Sequence, residues 1–360
     1  MRIVLISGIV FVHVPYDPAT SPYAANYGGF DWLRVFLGDS LFRVGVPCLS
    51  VISGYLLFRR GLDSFDYRKT LTTKARTVLL PFLIWNFAFL LSVFIAQSNE
   101  MSTGYLPDVA HANLREWLNL AFALDGMPIN LPLYFLRDLL LCIVLSPVLA
   151  WLIRRYPAQT LAVLLAYVVL PFPSGVFLKK SILFGFSAGI YLSLHDVDIR
   201  RFDRFAWPIV VALIICTLLL SLLLYRYGPN FPIWLEMLRG LTALFGIAGS
   251  WAVSALLVRT RAGASLSRGS GLSFWIFCTH FPLLILLWMI WNRTGVGYYP
   301  AFYCTVPFIV IASLAFAYSL SRRWLPNFTA LLTGSRTGPA RDATAPARAV
   351  RSEPSPQQRT

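Results

Sequence analysis

Charged side chains are scarce in this chain. Only 13% of its 360 residues are Asp, Glu, Lys or Arg, where a soluble domain carries about 25%. Acids are the scarcer kind, 16 against 31 basic residues, and 57% of the chain is hydrophobic. That balance leaves no polar coat for a soluble fold and predicts an all-α polytopic membrane protein. The few carboxylates form no acidic metal-binding cluster, so no metal is expected and a phosphotransferase acting on lipid carriers is excluded. Cysteine is as sparse. Cys48, Cys142, Cys216, Cys278 and Cys304 are scattered, without metal or redox spacing, and read as small core hydrophobes. No internal repeat of the kind that organises many transporters is present.

What is present is a series of ten apolar segments. They run at about 2–15, 37–58, 77–96, 131–152, 158–172, 177–194, 206–225, 233–257, 272–291 and 301–321. The first and fifth are short for a hydrocarbon core of about 30 Å, which takes about 20 helical residues. The opening Met-Arg and apolar run resembles a signal peptide. The His that ends it and the lack of a small-x-small cleavage site argue against that reading.

The net charge of +15 does not point to nucleic acid, because the basic residues fall in loops between apolar segments. With the N-terminus in the cytoplasm and ten crossings, 22 of the 31 Lys and Arg lie on the cytoplasmic side. This predicts an N-in, C-in protein, multi-pass in a cell membrane such as the bacterial inner membrane. The longer outer loops are 16–36 and 97–130, and the second has the length of a lid over an external site. Residues 1–325 form the expected membrane domain. The Pro-, Ala-, Ser-, Thr- and Arg-rich stretch 333–360 reads as a disordered cytoplasmic tail.

Several charges lie where a membrane makes them costly, about 2.5–3.5 kcal/mol for an Arg at a helix centre. Arg2 and His13 share segment 1, eleven residues apart. Helical geometry puts both on nearly one face, about 16 Å apart along the axis. Asp39, Arg43, Arg137, Asp138, Glu236 and Arg239 all fall in the outer third to half of segments 2, 4 and 8, level with His13. Six charges and a His at one depth predict a polar cavity open to the outside. Structural ion pairs, such as Asp39 with Arg43 at i,i+4, are the competing reading for any single residue.

Toward the cytoplasm, Arg2, Lys74 and Arg76 lie near Ser53-Gly54. They suit either cofactor phosphates or topology anchoring. Gly54 allows close backbone approach, and Ser53 can hydrogen-bond between helices. His280 is expected on the inner side as a satisfied interhelical His. Trp32, Tyr134 and Trp234 near the outer mouth suit sugar stacking or, more commonly, an interfacial aromatic belt.

Arg2-x10-His13 in a first helix is followed by Val44-Gly-Val-Pro47-Cys-Leu-Ser-Val-Ile-Ser53-Gly54-Tyr-Leu. Tyr134-Phe-Leu-Arg137-Asp138-Leu and Phe274-Trp-Ile-Phe-Cys-Thr-His280-Phe-Pro282 complete the set. This pattern, over residues 1 to about 325, resembles acyltransferase family 3, the integral-membrane O-acyltransferases. The resemblance implies transfer of an acyl group, usually acetyl, from cytoplasmic acyl-CoA (acetyl-CoA). The acceptor it implies is a hydroxyl on a carbohydrate or lipid-linked glycan at the outer face. Arg2 would hold the CoA end, with Ser53, Lys74 and Arg76 beside it, and His13 would be the catalytic His.

A sugar hydroxyl needs a general base, and His13 suits that task, or it carries the acyl group itself. A carboxylate is expected to orient its ring, Glu236 first and Asp138 second. Arg43, Arg137 or Arg239 would stabilise the oxyanion or bind an acidic acceptor. The rival reading is a transporter or exporter of a glycan or glycolipid, for which repeats and broken midplane helices are expected. A non-catalytic scaffold would have no use for His13 and six charges at one depth.

Overall fold

The computed structural model describes residues 1–101, 105–261, 263 and 270–334. The tail expected at 333–360 lies outside them from residue 335 onward. Among the described residues there is no strand, and every one of the ten apolar segments is helical. Six helical stretches are long and apolar enough to cross a membrane: 29–58, 67–98, 199–227, 233–258, 271–294 and 299–324. A seventh is broken, and three apolar helices are shorter. The protein is an all-helical polytopic membrane protein.

The first short helix is α1 (Arg2–Val12). The second stretch starts at α2 (Gly29–Arg34), earlier than hydropathy predicts. It passes through a π-helical turn at Val35–Leu41 and a 3-10 turn at Phe42–Val44 before α3 (Gly45–Phe58). Such changes of helical pitch rotate the side chains that follow and often mark functional positions. Asp39 sits within the π turn and Arg43 within the 3-10 turn. A second π turn, Ala75–Leu79, joins α4 (Tyr67–Lys74) to α5 (Leu80–Ser98).

The segment after α5 carries α6 (Leu114–Phe122), which opens on a capping box between Asn113 and Glu116. It packs down through buried Val109, Ala121 and Ile129 against Phe89, Leu90, Phe281 and Ile285. The buried Asn86 side chain ties the segment to the bundle. It donates to Leu120 O at 2.8 Å and accepts from Asn130 N at 3.0 Å.

Segment 4 is α7 (Tyr134–Val144) and α8 (Ser146–Arg155), bent by 62° at the break between them. Pro147, in the first turn of α8, has no N–H to continue the ladder. Then come α9 (Pro157–Val169), α10 (Lys180–Leu194), α11 (Ala206–Tyr227) and α12 (Ile233–Val258). The chain closes with α13 (Ser270–Thr294), α14 (Tyr299–Trp324) and α15 (Pro326–Thr333).

In lipid the pull between helices comes from close contact, not from hiding apolar surface, so small residues decide who touches whom. Helices α3 and α10 show this. Gly54 lies against the carbonyl of Phe186, Gly189 against that of Val51 and Gly185 against that of Pro47, each closer than a Cβ would allow. Gly185-x3-Gly189 is therefore the packing motif that seats α10 on α3. The main core joins α1, α3, α7, α10, α13 and α14 through residues such as Ile9, Leu49, Leu139, Phe186, Ile276 and Phe302.

Candidate functional site

A cavity of about 520 Å³ opens among α1, the turns at 35–44, α7, α9, α10 and α12. His13, Asp39, Arg43, Glu236 and Arg239 all line it. Four of the six charges that share a predicted depth thus meet His13 in one space.

His13 follows the last residue of α1. Its Nδ1 is 2.9 Å from Ile9 O, the carbonyl four residues back. A carbonyl only accepts, so Nδ1 carries the proton and Nε2 keeps its lone pair. A helix carbonyl thus orients the ring, where a carboxylate was expected. No hydrogen bond joins Glu236 to His13 among the described residues; Glu236 lies exposed on the cavity wall.

Asp39 organises the cations. Its Oδ1 is 2.9 Å from Arg43 Nη2 and 3.8 Å from Arg239 Nη2, and its Oδ2 accepts from Tyr23 OH at 3.4 Å. Arg43 also donates from Nε to Gly38 O at 3.0 Å. Lys179 and Lys180 line the same cavity, and Lys179 is in electrostatic reach of Arg43, Arg239 and Glu236. Four cations face two carboxylates, so the cavity carries net positive charge and suits an anionic group or a developing oxyanion.

Arg137 and Asp138 are placed differently. Both lie outside the cavity lining. Asp138 is fully buried and accepts from the Leu178 and Lys179 backbone N–H groups at 3.2 and 2.8 Å. Arg137 pairs with it at 2.9 Å. Arg137 also donates to Ala123 O at 2.9 Å, Leu124 O at 3.1 Å and Val176 O. The pair clamps the end of the 99–130 segment and the start of α10 onto α7.

The inner group is separate as well. Arg2 opens α1, and Lys74 is in electrostatic reach of it. Arg76 is exposed in the π turn, and Ser53 Oγ donates to Leu49 O of its own helix at 2.9 Å. None of the four lines the cavity.

Residues 1–322 match the family described as the acyltransferase domain. The chain belongs to that family. It is an acyltransferase. A relative, the succinoglycan biosynthesis protein ExoH of Rhizobium meliloti (strain 1021), is 63% identical over 359 residues. The match covers 100% of this chain and 97% of the relative. No solved structure matches.

Three groups of this acyltransferase's cavity region escaped the sequence reading of the site. Lys179 lines the cavity, and its signal in the sequence is a Lys at a helix start, against the helix dipole. Tyr105 reaches the cavity from the 99–130 segment, together with Met127. His280 was expected toward the inner side, yet its ring centroid is 5.4 Å from that of His13. Of the three aromatics near the mouth, Tyr134 lines the cavity. Trp32 instead donates to Ser221 Oγ at 3.1 Å, and Trp234 meets Tyr227 edge-on at 5.6 Å.

Proposed function

We propose that this acyltransferase moves an acyl group from cytoplasmic acyl-CoA to a hydroxyl of an extracytoplasmic carbohydrate, with His13 at the reacting centre. The observation that carries the reading is His13 itself. Its tautomer leaves Nε2 available as base or acyl carrier beside a cavity of net positive charge. The acceptor oxygen attacks the thioester carbon as its proton passes to Nε2. The cations facing the cavity stabilise the oxyanion. The C–S bond then breaks, and the thiolate of CoA takes the proton.

The donor's phosphates fall to Arg2, Ser53, Lys74 and Arg76, about 16 Å along α1 from His13. Glu236, Arg43 and Arg239 bind the acceptor, and Arg137 with Asp138 hold the wall that carries Lys179. The catalytic unit is residues 1–325, and the N-in, C-in orientation in a bacterial inner membrane is supported by the loop charges. The likeness to a succinoglycan biosynthesis protein supports a surface polysaccharide of that kind, or its lipid-linked precursor, as acceptor. Acetyl-CoA is the donor the family pattern suggests, while the net positive cavity equally suits an acyl group ending in a carboxylate.

The test is mass spectrometry of surface glycan from cells lacking the gene, complemented with wild type or His13→Ala at matched membrane levels. The expected result is an acyl increment restored by wild type and not by His13→Ala, its mass naming the acyl group. Unchanged acylation with an altered amount of surface glycan would overturn the reading in favour of an exporter.

A further inference from the structure

His13 and His280 repeat one arrangement on two helices. His280 Nδ1 is 2.9 Å from Ile276 O, again the carbonyl four residues back. Its proton too is therefore on Nδ1, and Nε2 keeps a lone pair. That Nε2 is buried and has no hydrogen-bond partner among the described residues, and the whole residue is 0% exposed. A buried acceptor left unmade costs about 1–3 kcal/mol. Phe277 and Phe281 flank the pair, and neither ring donates a hydrogen bond.

Position makes this cost intelligible. The two ring centroids are 5.4 Å apart and the planes are inclined at 59°. The χ2 torsion of His is broad, and at this centroid spacing two imidazole nitrogens come to hydrogen-bond distance when both turn onto the line that joins the rings. In the resting state both Nε2 atoms are acceptors and nothing is there to share. Once His13 has taken a proton, its Nε2–H is a donor, and a turn of that N–H from the cavity toward His280 presents it to the unpartnered acceptor. The side chain of His280 does not line the cavity, so it acts through His13.

The geometry points to His280 as the positioning partner of His13, whose Nε2 accepts the N–H that forms on His13 during transfer. This rests on the acyl-transfer reading. In that step the acceptor O–H breaks, the C–O bond to the acyl carbon forms and the proton goes to His13 Nε2. His280 Nε2 accepts that N–H while the tetrahedral adduct stands. The C–S bond then breaks, and the proton leaves His13 for the CoA thiolate. A neutral ring in this role avoids placing a carboxylate in an apolar interior.

The support extends outward from His280. Asn130 Nδ2 donates to Cys278 O at 2.9 Å, two residues before His280, and Asn130 N donates to Asn86 Oδ1 at 3.0 Å. Both asparagines are fully buried. The helix that carries His280 is thereby tied to α5 and to the segment that brings Tyr105 to the cavity.

The test compares His280→Gln with His280→Asn in the full-length protein. Gln places its oxygen near the position of Nε2, whereas Asn keeps polar atoms only near Nδ1. CoA thiol release is followed in inside-out membrane vesicles that contain the glycan acceptor. Acetyl-CoA and succinyl-CoA are the donors tried, at matched protein levels. We expect kcat to fall about tenfold or more in His280→Asn, KM for the donor to stay unchanged, and His280→Gln to keep most of the rate. Equal rates in the two variants, or a better rate in His280→Asn, would overturn the role, because a merely structural Nδ1 contact favours Asn. Wild type that releases no thiol above the His13→Ala background with either donor would instead remove the acyl-transfer reading beneath it.

Discussion

Asp39 and Arg43 are one helical turn apart, yet they form an ion pair at 2.9 Å that faces the cavity and not the lipid. The π turn at Val35–Leu41 and the 3-10 turn after it set that direction. Arg239 approaches the same carboxylate oxygen at 3.8 Å from α12. The competing readings of the sequence, ion pair or polar cavity, are therefore both realised by the same residues.

Asp39→Asn should separate these two roles. Arg43 is 40% exposed, so solvent screens the pair and its loss should cost at most about 1 kcal/mol. The two guanidinium groups lose the carboxylate that positions them, and transfer should fall by about 10- to 100-fold. Thermal unfolding in detergent and thiol release from vesicles check the two halves. A large drop in stability with unchanged kcat would show a structural pair only.

Asp138→Asn should do the reverse. The carboxylate is fully buried and holds Arg137 and two backbone N–H groups. Removing its charge leaves the Arg137 guanidinium largely buried without a counter-ion, a loss of about 3 kcal/mol or more. The expected readout is reduced accumulation and a lower midpoint in thermal unfolding. Wild-type stability would mean that the clamp between α7 and α10 contributes little.

Gly189→Leu tests the seat of α10 on α3. Any Cβ there meets the carbonyl of Val51, and a full side chain must push the helices apart. Overpacking of this kind costs about 1–3 kcal/mol, and the displaced α10 carries Lys179 away from the cavity. Both membrane level and activity should drop. A fully active, well-folded variant would show that α10 shifts without consequence.

Arg2→Ala probes the inner face. Loss of a phosphate contact should raise KM for acyl-CoA about tenfold, equivalent to about 1.4 kcal/mol, with little change in kcat. Steady-state kinetics in inside-out vesicles, where the cytoplasmic face is accessible, decide it. An unchanged KM would leave Arg2 as a topology anchor.

Much of this protein was legible in its amino acids. Membrane helices are recognised by local composition, so hydropathy found every apolar segment, including the three too short to count as full spans. The cost of a charge in lipid is also a local property. It singled out Asp39, Arg43, Glu236 and Arg239, which the structure gathers beside His13. The Arg2-x10-His13 and Pro47-to-Gly54 patterns carried the family, and the match over residues 1–322 bears it out.

Tertiary structure decided what those residues meet. Helix rotation, the π turn before Arg43, the 62° break after Val144 and glycine contacts between α3 and α10 depend on partners far away in sequence. Hence His280 stands beside His13 and not on the inner side, and Arg137 with Asp138 serve backbone groups outside the cavity. Ile9 O, not a carboxylate, orients the His13 ring. Sequence determines which side chains lipid will not tolerate, because that cost belongs to each residue alone. Only the packed bundle determines their partners, because a hydrogen bond or ion pair needs two groups within a few ångströms, and spacing along the chain does not set that distance.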